Sequence, residues 1–111
     1  MIPLDPGALG GSCTPIVTPF RDGDVDLDTF AALVDRQIAK GGHGVLVTGT
    51  TAEPSSLTIA ERNELVRVAV ATAAGRRPVV AATGSQSYAD TIALTRSAEE
   101  AGADAVLVVT P

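Results

Sequence analysis

The chain has no tryptophan, one cysteine, one histidine, one methionine and, at Lys40, one lysine. Each scarcity excludes something. A single thiol, Cys13, cannot close an internal disulfide, which fits a reducing compartment. Aromatic residues make up 3% of the sequence, so a core must be built from Ala, Val and Leu. The net charge is −5 and there is no Lys/Arg cluster, which argues against nucleic acid and anionic membrane as partners. No apolar run approaches the roughly 18 residues of a membrane span, and the N-terminus lacks the apolar stretch of a signal peptide. The expected compartment is the cytoplasm. No GxGxxG, P-loop or catalytic triad appears, and neither a metal nor a cofactor is expected.

What is present is apolar periodicity that switches between two modes. Apolar residues account for 45% of 111 positions, one domain's length. Continuous runs at Val45–Val47, Pro78–Ala82 and Ala105–Val109, and a less regular one at Cys13–Val17, read as strands of a parallel sheet. Helical patterns lie between them. In the first, Leu27, Phe30, Ala31, Val34 and Ile38 share a face and Gly41-Gly42 supplies the stop. The second opens on Thr58-Ile59-Ala60-Glu61, a capping box, and runs through Leu65, Val66, Ala69 and Ala73 to Gly75. The third opens on Ser87-Tyr88-Ala89-Asp90, a box with Asp in place of Glu, and ends at Gly102. The order is β-α-β-α-β-α-β in steps of roughly 30 residues, the size of a βαβ unit.

Between the second strand and the second helix stands Gly49-Thr50-Thr51-Ala52-Glu53. A strand that breaks into Gly-Thr-Thr ends in a loop of hydroxyls and backbone N–H groups, which suits a small anion, a carboxylate above all. Two architectures remain open: a small doubly wound sheet, or part of a (β/α)8 barrel. The sequence reaches Thr110-Pro111 directly after its fourth strand, with no helix to cover it. The expectation is therefore the N-terminal half of a barrel, residues 1–111 forming one domain truncated after strand four, with an apolar inner face left open.

The residues carry a resemblance at this point. Thr14-Pro15-Ile16-Val17-Thr18-Pro19-Phe20 resembles the first strand and loop of the dihydrodipicolinate synthase/N-acetylneuraminate lyase family. Gly49 to Glu53 with Leu57-Thr58 and Glu61-Arg62 resembles its second loop and helix start. Pro78–Ser85 is similar to its third strand, and Gly102-Ala103-Asp104-Ala105 with Val108–Pro111 to its fourth. The resemblance implies a (β/α)8 barrel of pyruvate-dependent Schiff-base lyases and aldolases, usually tetrameric. By position, Thr51 would hold the carboxylate of pyruvate or another 2-oxo acid, with Gly49 and Thr50 beside it. Thr50 would belong to a proton relay of hydroxyls. Gly84 and Ser85 would line the same mouth, and Pro15 would shape the pocket floor. The second substrate would be an aldehyde. The family includes lysine-biosynthesis, sialic-acid and sugar-acid enzymes, and a non-catalytic carboxylate-binding half-barrel is the reading from another class. Ala52 stands where the family commonly has Gly; if that position needs a positive φ, it costs about 1 kcal/mol.

The family's later tyrosines and its Schiff-base lysine, on strand six, would lie beyond Pro111. Imine formation needs a desolvated amine. The lone lysine, Lys40, ends the first helix, where a cation meets the macrodipole and stays charged and exposed. The 111 residues alone are thus expected to form no imine. Other residues have plainer roles. His43 starts a strand at the barrel's stability face, Cys13 packs as a small apolar residue, and Tyr88 belongs to a helix start. Asp22, Asp24, Asp26 and Asp28 read as a turn followed by an N-cap at Asp26 rather than a calcium loop. Glu53 is either an acid/base or a tie for its own loop.

Overall fold

The computed structural model describes residues 2–110; Pro111, the last residue of the fourth-strand motif, lies outside them. In chain order the elements are β1 (Cys13–Pro15), β2 (Phe20–Arg21), β3 (Asp24–Val25), α1 (Leu27–Ala39), β4 (Gly44–Val47), α2 (Ile59–Ala73), β5 (Val79–Ala82), α3 (Tyr88–Glu100) and β6 (Ala105–Leu107). Two single 3-10 turns, Thr50–Ala52 and Pro54–Ser56, join β4 to α2. Strands β1, β4, β5 and β6 form one parallel sheet in that order, with Leu46 as the register partner of both Pro15 and Val80. Each parallel step is made by a crossover helix, which is the singly wound arrangement of a barrel.

Alternation along the strands assigns the two faces. Val45 and Val47 of β4 and Val79 and Ala81 of β5 are buried against the helices, where they meet Phe30, Val34, Leu65, Ala69 and Ala98. Small Ala side chains at 69, 73, 81 and 98 let helices and sheet approach closely without large aromatics. The opposite face carries Pro15, Leu46, Val80 and Leu107. It is open: Val17 is 50% exposed and Leu107 45%. Of the two faces, only the helix-covered one is sealed.

β1 is shorter than the expected Cys13–Val17, although Ile16 N–H still reaches Leu46 O at 2.9 Å. β6 stops at Leu107, two residues before the end of its apolar run, and lies at the sheet edge. The hairpin β2–β3 was not foreseen. Asp22 (φ 53°) and Gly23 (φ 85°) both take left-handed backbone in its two-residue turn, the pair that type I′ requires. Asp26 then caps α1, accepting from Thr29 N–H at 3.1 Å and from the Thr29 hydroxyl at 2.7 Å. The acidic alternation is a turn and a cap.

The box at α2 is complete: Thr58 Oγ1 accepts from Glu61 N–H at 3.1 Å, and the Glu61 carboxylate accepts from Thr58 N–H at 2.8 Å. The box at α3 is half formed. Ser87 Oγ accepts from Asp90 N–H, but Ser87 N–H donates to Ser85 Oγ, each at 3.3 Å. Asp is one methylene shorter than Glu, and its carboxylate does not return the bond. No helix among the described residues is long and apolar enough to cross a membrane.

Candidate functional site

The parallel sheet delivers threonines to one end: Thr18 follows β1, Thr48 follows β4 and Thr83 follows β5, and all three are buried. Thr83 Oγ1 accepts from the Thr95 hydroxyl of α3 at 2.8 Å. Thr18 Oγ1 has no hydrogen-bond partner among the described residues. Thr48 is the unusual member. Its φ is 59°, a region that a β-branched residue enters only at a cost of about 1–3 kcal/mol. Its hydroxyl lies 2.6 Å from Val47 O and 2.9 Å from Ala82 O, which ties the end of β4 to the end of β5.

That reversal sends the chain into buried Gly49 and the 3-10 turn Thr50–Ala52. Ala52 N–H donates to Gly49 O at 2.9 Å and Glu53 N–H to Thr50 O at 3.1 Å. The N–H groups of Thr50 and Thr51 come before these turns close and have no partner among the described residues. Ala52 is not at positive φ. It is buried inside the turn, and the left-handed residue is Glu53, at φ 57°, so the expected penalty at Ala52 is absent. Pro54 then starts the second turn.

A cavity of about 240 Å³ opens here on the inner face of the sheet. Gly49, Thr50 and Thr51 form one wall, Pro15 and Leu46 lie on a second, and Ala82, Gly84 and Leu107 on a third. The residue types make a small apolar chamber with hydroxyl and N–H donors on one side. No charged side chain lines it. Such a site attracts an anion through oriented neutral dipoles and leaves the anion's charge for chemistry nearby. Gly84 is needed for fit, since a Cβ there would stand 2.6 Å from Val109 N.

Ser85 turns elsewhere. Its N–H donates to Thr91 Oγ1 at 3.1 Å, and it lines a larger cleft of about 670 Å³ between α2 and α3, shared with Thr50, Arg62 and Asp90. Arg62 is 8% exposed; its Nη2 donates to Ala82 O at 2.9 Å and its Nε has no partner among the described residues. Burial pulls the guanidinium below its ordinary pKa, and the Asp90 carboxylate opposes that shift. Thr48 and Arg62 both escaped the reading of the sequence. The available signals were a Thr placed between a strand and a Gly, and an Arg one turn ahead of Leu65 and Val66 on the buried face of α2.

The remaining polar residues stand away from the chamber. His43 is exposed at the opposite end of the sheet, and its Nδ1 accepts from Ser12 N–H at 3.0 Å. Lys40 is the exposed C-cap of α1, and Tyr88 is 83% exposed. Cys13 is exposed at the start of β1, not packed as a small apolar residue, and what desolvation it has raises its thiol above the ordinary value. The Glu53 carboxylate makes no hydrogen bond to its loop among the described residues. Among those residues no group of three or more His, Cys, Asp or Glu could hold a metal ion.

Comparison with known proteins gives a consistent set of matches. The model of the dihydrodipicolinate synthetase family matches residues 8–111. The 4-hydroxy-tetrahydrodipicolinate synthase of Phenylobacterium zucineum is 54% identical over 108 residues, covering 97% of this chain and 36% of that protein. That of Methylobacterium radiotolerans is 50% identical over 103 residues, covering 93% and 34%. The crystal structure of dihydrodipicolinate synthase from Aquifex aeolicus superposes with a TM-score of 0.88 at 40% identity, covering 91% of this chain and 34% of that one. The chain spans about a third of the length of the curated relatives it matches. Its parallel strands and alternating helices match the N-terminal part of the barrels of these synthases.

Proposed function

Since the chain belongs to the dihydrodipicolinate synthetase family, we propose that it supplies the carboxylate-binding side of the active site in a carbon–carbon lyase of the 4-hydroxy-tetrahydrodipicolinate synthase type. Residues 1–111 would be the N-terminal part of one (β/α)8 barrel. The observation that carries the reading is the pair of unpartnered N–H groups at Thr50 and Thr51, on the wall of an uncharged chamber at the C-terminal ends of parallel strands. Barrel enzymes place their chemistry at that end.

In this proposal pyruvate, or another 2-oxo acid, enters with its carboxylate against Gly49, Thr50 and Thr51. Thr51 binds it with N–H and hydroxyl. Thr50, which borders both the chamber and the outer cleft, passes a proton through its hydroxyl. Pro15 and Gly84 shape the space, and Ser85 stands behind it. The carbonyl carbon is then attacked by an amine from outside these residues, because Lys40 is an exposed helix cap and no other lysine is present. The adduct loses water to give an imine, and the imine loses a proton from the methyl carbon to give an enamine. That carbon adds to an aldehyde, whose oxygen takes up a proton. The work would be done in the cytoplasm, in lysine biosynthesis, by a homo-oligomer, a tetramer as the family resemblance implies.

The test joins residues 1–111 to the remaining two-thirds of the Phenylobacterium zucineum synthase and treats the product with pyruvate and borohydride. A stable pyruvyl adduct is expected on a lysine of the added part, and none on the 111-residue chain alone. An adduct on Lys40, or a folded joined protein that traps no pyruvate, would overturn the proposal.

A further inference from the structure

Two groups that are costly to keep where they stand converge on one carbonyl. Thr48 holds a left-handed backbone that strains a β-branched residue. Arg62 is 8% exposed, so its guanidinium has lost most of its hydration and depends on hydrogen bonds within the protein. Thr48 Oγ1 stands 2.9 Å from Ala82 O and 2.6 Å from Val47 O, one proton shared between the two carbonyls, and Arg62 Nη2 donates to Ala82 O at 2.9 Å. Valine would fill the volume at 48, and methionine would fill much of it at 62. What both would lose is the bond to Ala82.

The junction ties three elements. Thr48 is the last residue before Gly49, so its hydroxyl sets where the loop leaves β4. Arg62 lies in the first turns of α2, so its side chain sets where the loop returns. Ala82 ends β5, the neighbouring strand that contributes the next wall of the chamber. The loop between Thr48 and Arg62 is therefore held at both ends to a single point on a third element.

We propose that Thr48 and Arg62 are positioning residues for the loop Gly49–Thr51, holding its N–H groups and hydroxyls in register with the chamber through the Ala82 carbonyl; the inference rests on the carboxylate-binding reading of that loop. Thr48 borders the chamber and Arg62 the outer cleft, and the role proposed for both acts through the loop between them. Their work is to keep the donors at hydrogen-bond distance from a bound carboxylate, where a displacement of an ångström is felt strongly.

The test compares Thr48→Val with Thr48→Ser, and Arg62→Met with Arg62→Lys, in the 111-residue chain. Sodium pyruvate is the probe, titrated by NMR, and amide exchange is followed at Ala52 and Glu53, whose N–H groups close the loop's turn. Val34→Ala, a cavity in the helix-covered core, is the control for lost stability. Thr48→Val is expected to weaken pyruvate binding about tenfold and to speed exchange at Ala52 and Glu53, with Thr48→Ser restoring binding to within about twofold. Arg62→Met should act in the same direction and Arg62→Lys part of the way. Parental affinity and exchange in Thr48→Val would overturn the inference, as would an equal loss in Val34→Ala. If the parent binds no pyruvate while Thr48→Val still loosens the loop, the positioning stands and the carboxylate reading falls.

Discussion

The two ends of the parallel sheet use hydrogen-bonding capacity in opposite ways. At the base, where strands begin, side chains and backbone close on each other in reciprocal pairs. Asp104 accepts from Val79 N–H at 2.8 Å and also from Ile2 N–H, while Asp104 N–H donates to Val79 O at 2.9 Å. Ser12 and His43 exchange bonds in the same way, at 3.0 and 2.9 Å. At the mouth, where strands end, Thr50 and Thr51 keep N–H groups, and Thr18 a hydroxyl, without a partner among the described residues. The base satisfies its donors with its own acceptors and gains stability. The mouth leaves donors over, and those are what a ligand can meet. One sheet thus separates closed pairs from free donors along its strand direction, and the binding proposed for the mouth rests on those donors.

That contrast is most open to attack through Asp104. Asp104→Ala strips the acceptor from a partly buried backbone N–H and is expected to lower stability by about 1–3 kcal/mol in urea unfolding, with pyruvate affinity unchanged. A loss of affinity at unchanged stability would erase the distinction between the ends. Thr51→Val is the mirror case. It should shift unfolding by no more than about 0.5 kcal/mol, because the residue is exposed, and weaken pyruvate binding about tenfold in calorimetry. Equal damage to stability would make Thr51 a structural residue.

The smallest effect concerns acid. Asp26 caps α1 at the mouth end, and its bonds from Thr29 N–H and hydroxyl, with Arg21 nearby, hold its carboxyl below the ordinary aspartate range. A depressed native pKa means that the ionised cap stabilises the fold at every pH above the unfolded value. That stabilisation fades as pH falls through the native one. Asp26→Asn keeps a capping oxygen, so stability near neutrality should hardly change while the acid limb of a pH–stability curve becomes shallower. An unchanged acid limb would remove Asp26 from the account.

Much of this was legible beforehand because period and capping are local properties. The three helices fall where Thr58, Asp26 and Ser87 open them, and the strands fall on the Val/Ala/Leu runs. The loop Gly49–Thr51 was visible as a break after an apolar strand. What was hidden depends on contacts distant in sequence or on very short elements. Strands β2 and β3 are two residues each, too short for alternation to show. Arg62 was visible only as part of the helix start; its burial depends on the carbonyl of Ala82, twenty residues on, which no local pattern shows. Thr48 carries a backbone conformation that threonine seldom adopts, so its type argued against its geometry. At Ala52 the condition for a penalty is not met, because the left-handed residue of the 3-10 turn is Glu53.

The convergence on Ala82 has a consequence for which substitutions this molecule tolerates. A carbonyl is common to all residues, so position 82 is free to vary within the small volume its surroundings allow. Under the positioning role proposed for them, positions 48 and 62 have no such freedom, since each would have to bring a donor to that oxygen. Changes at 48 and 62 should therefore answer to one another although no bond joins them, while the residue that mediates their coupling stays silent in any mutational record.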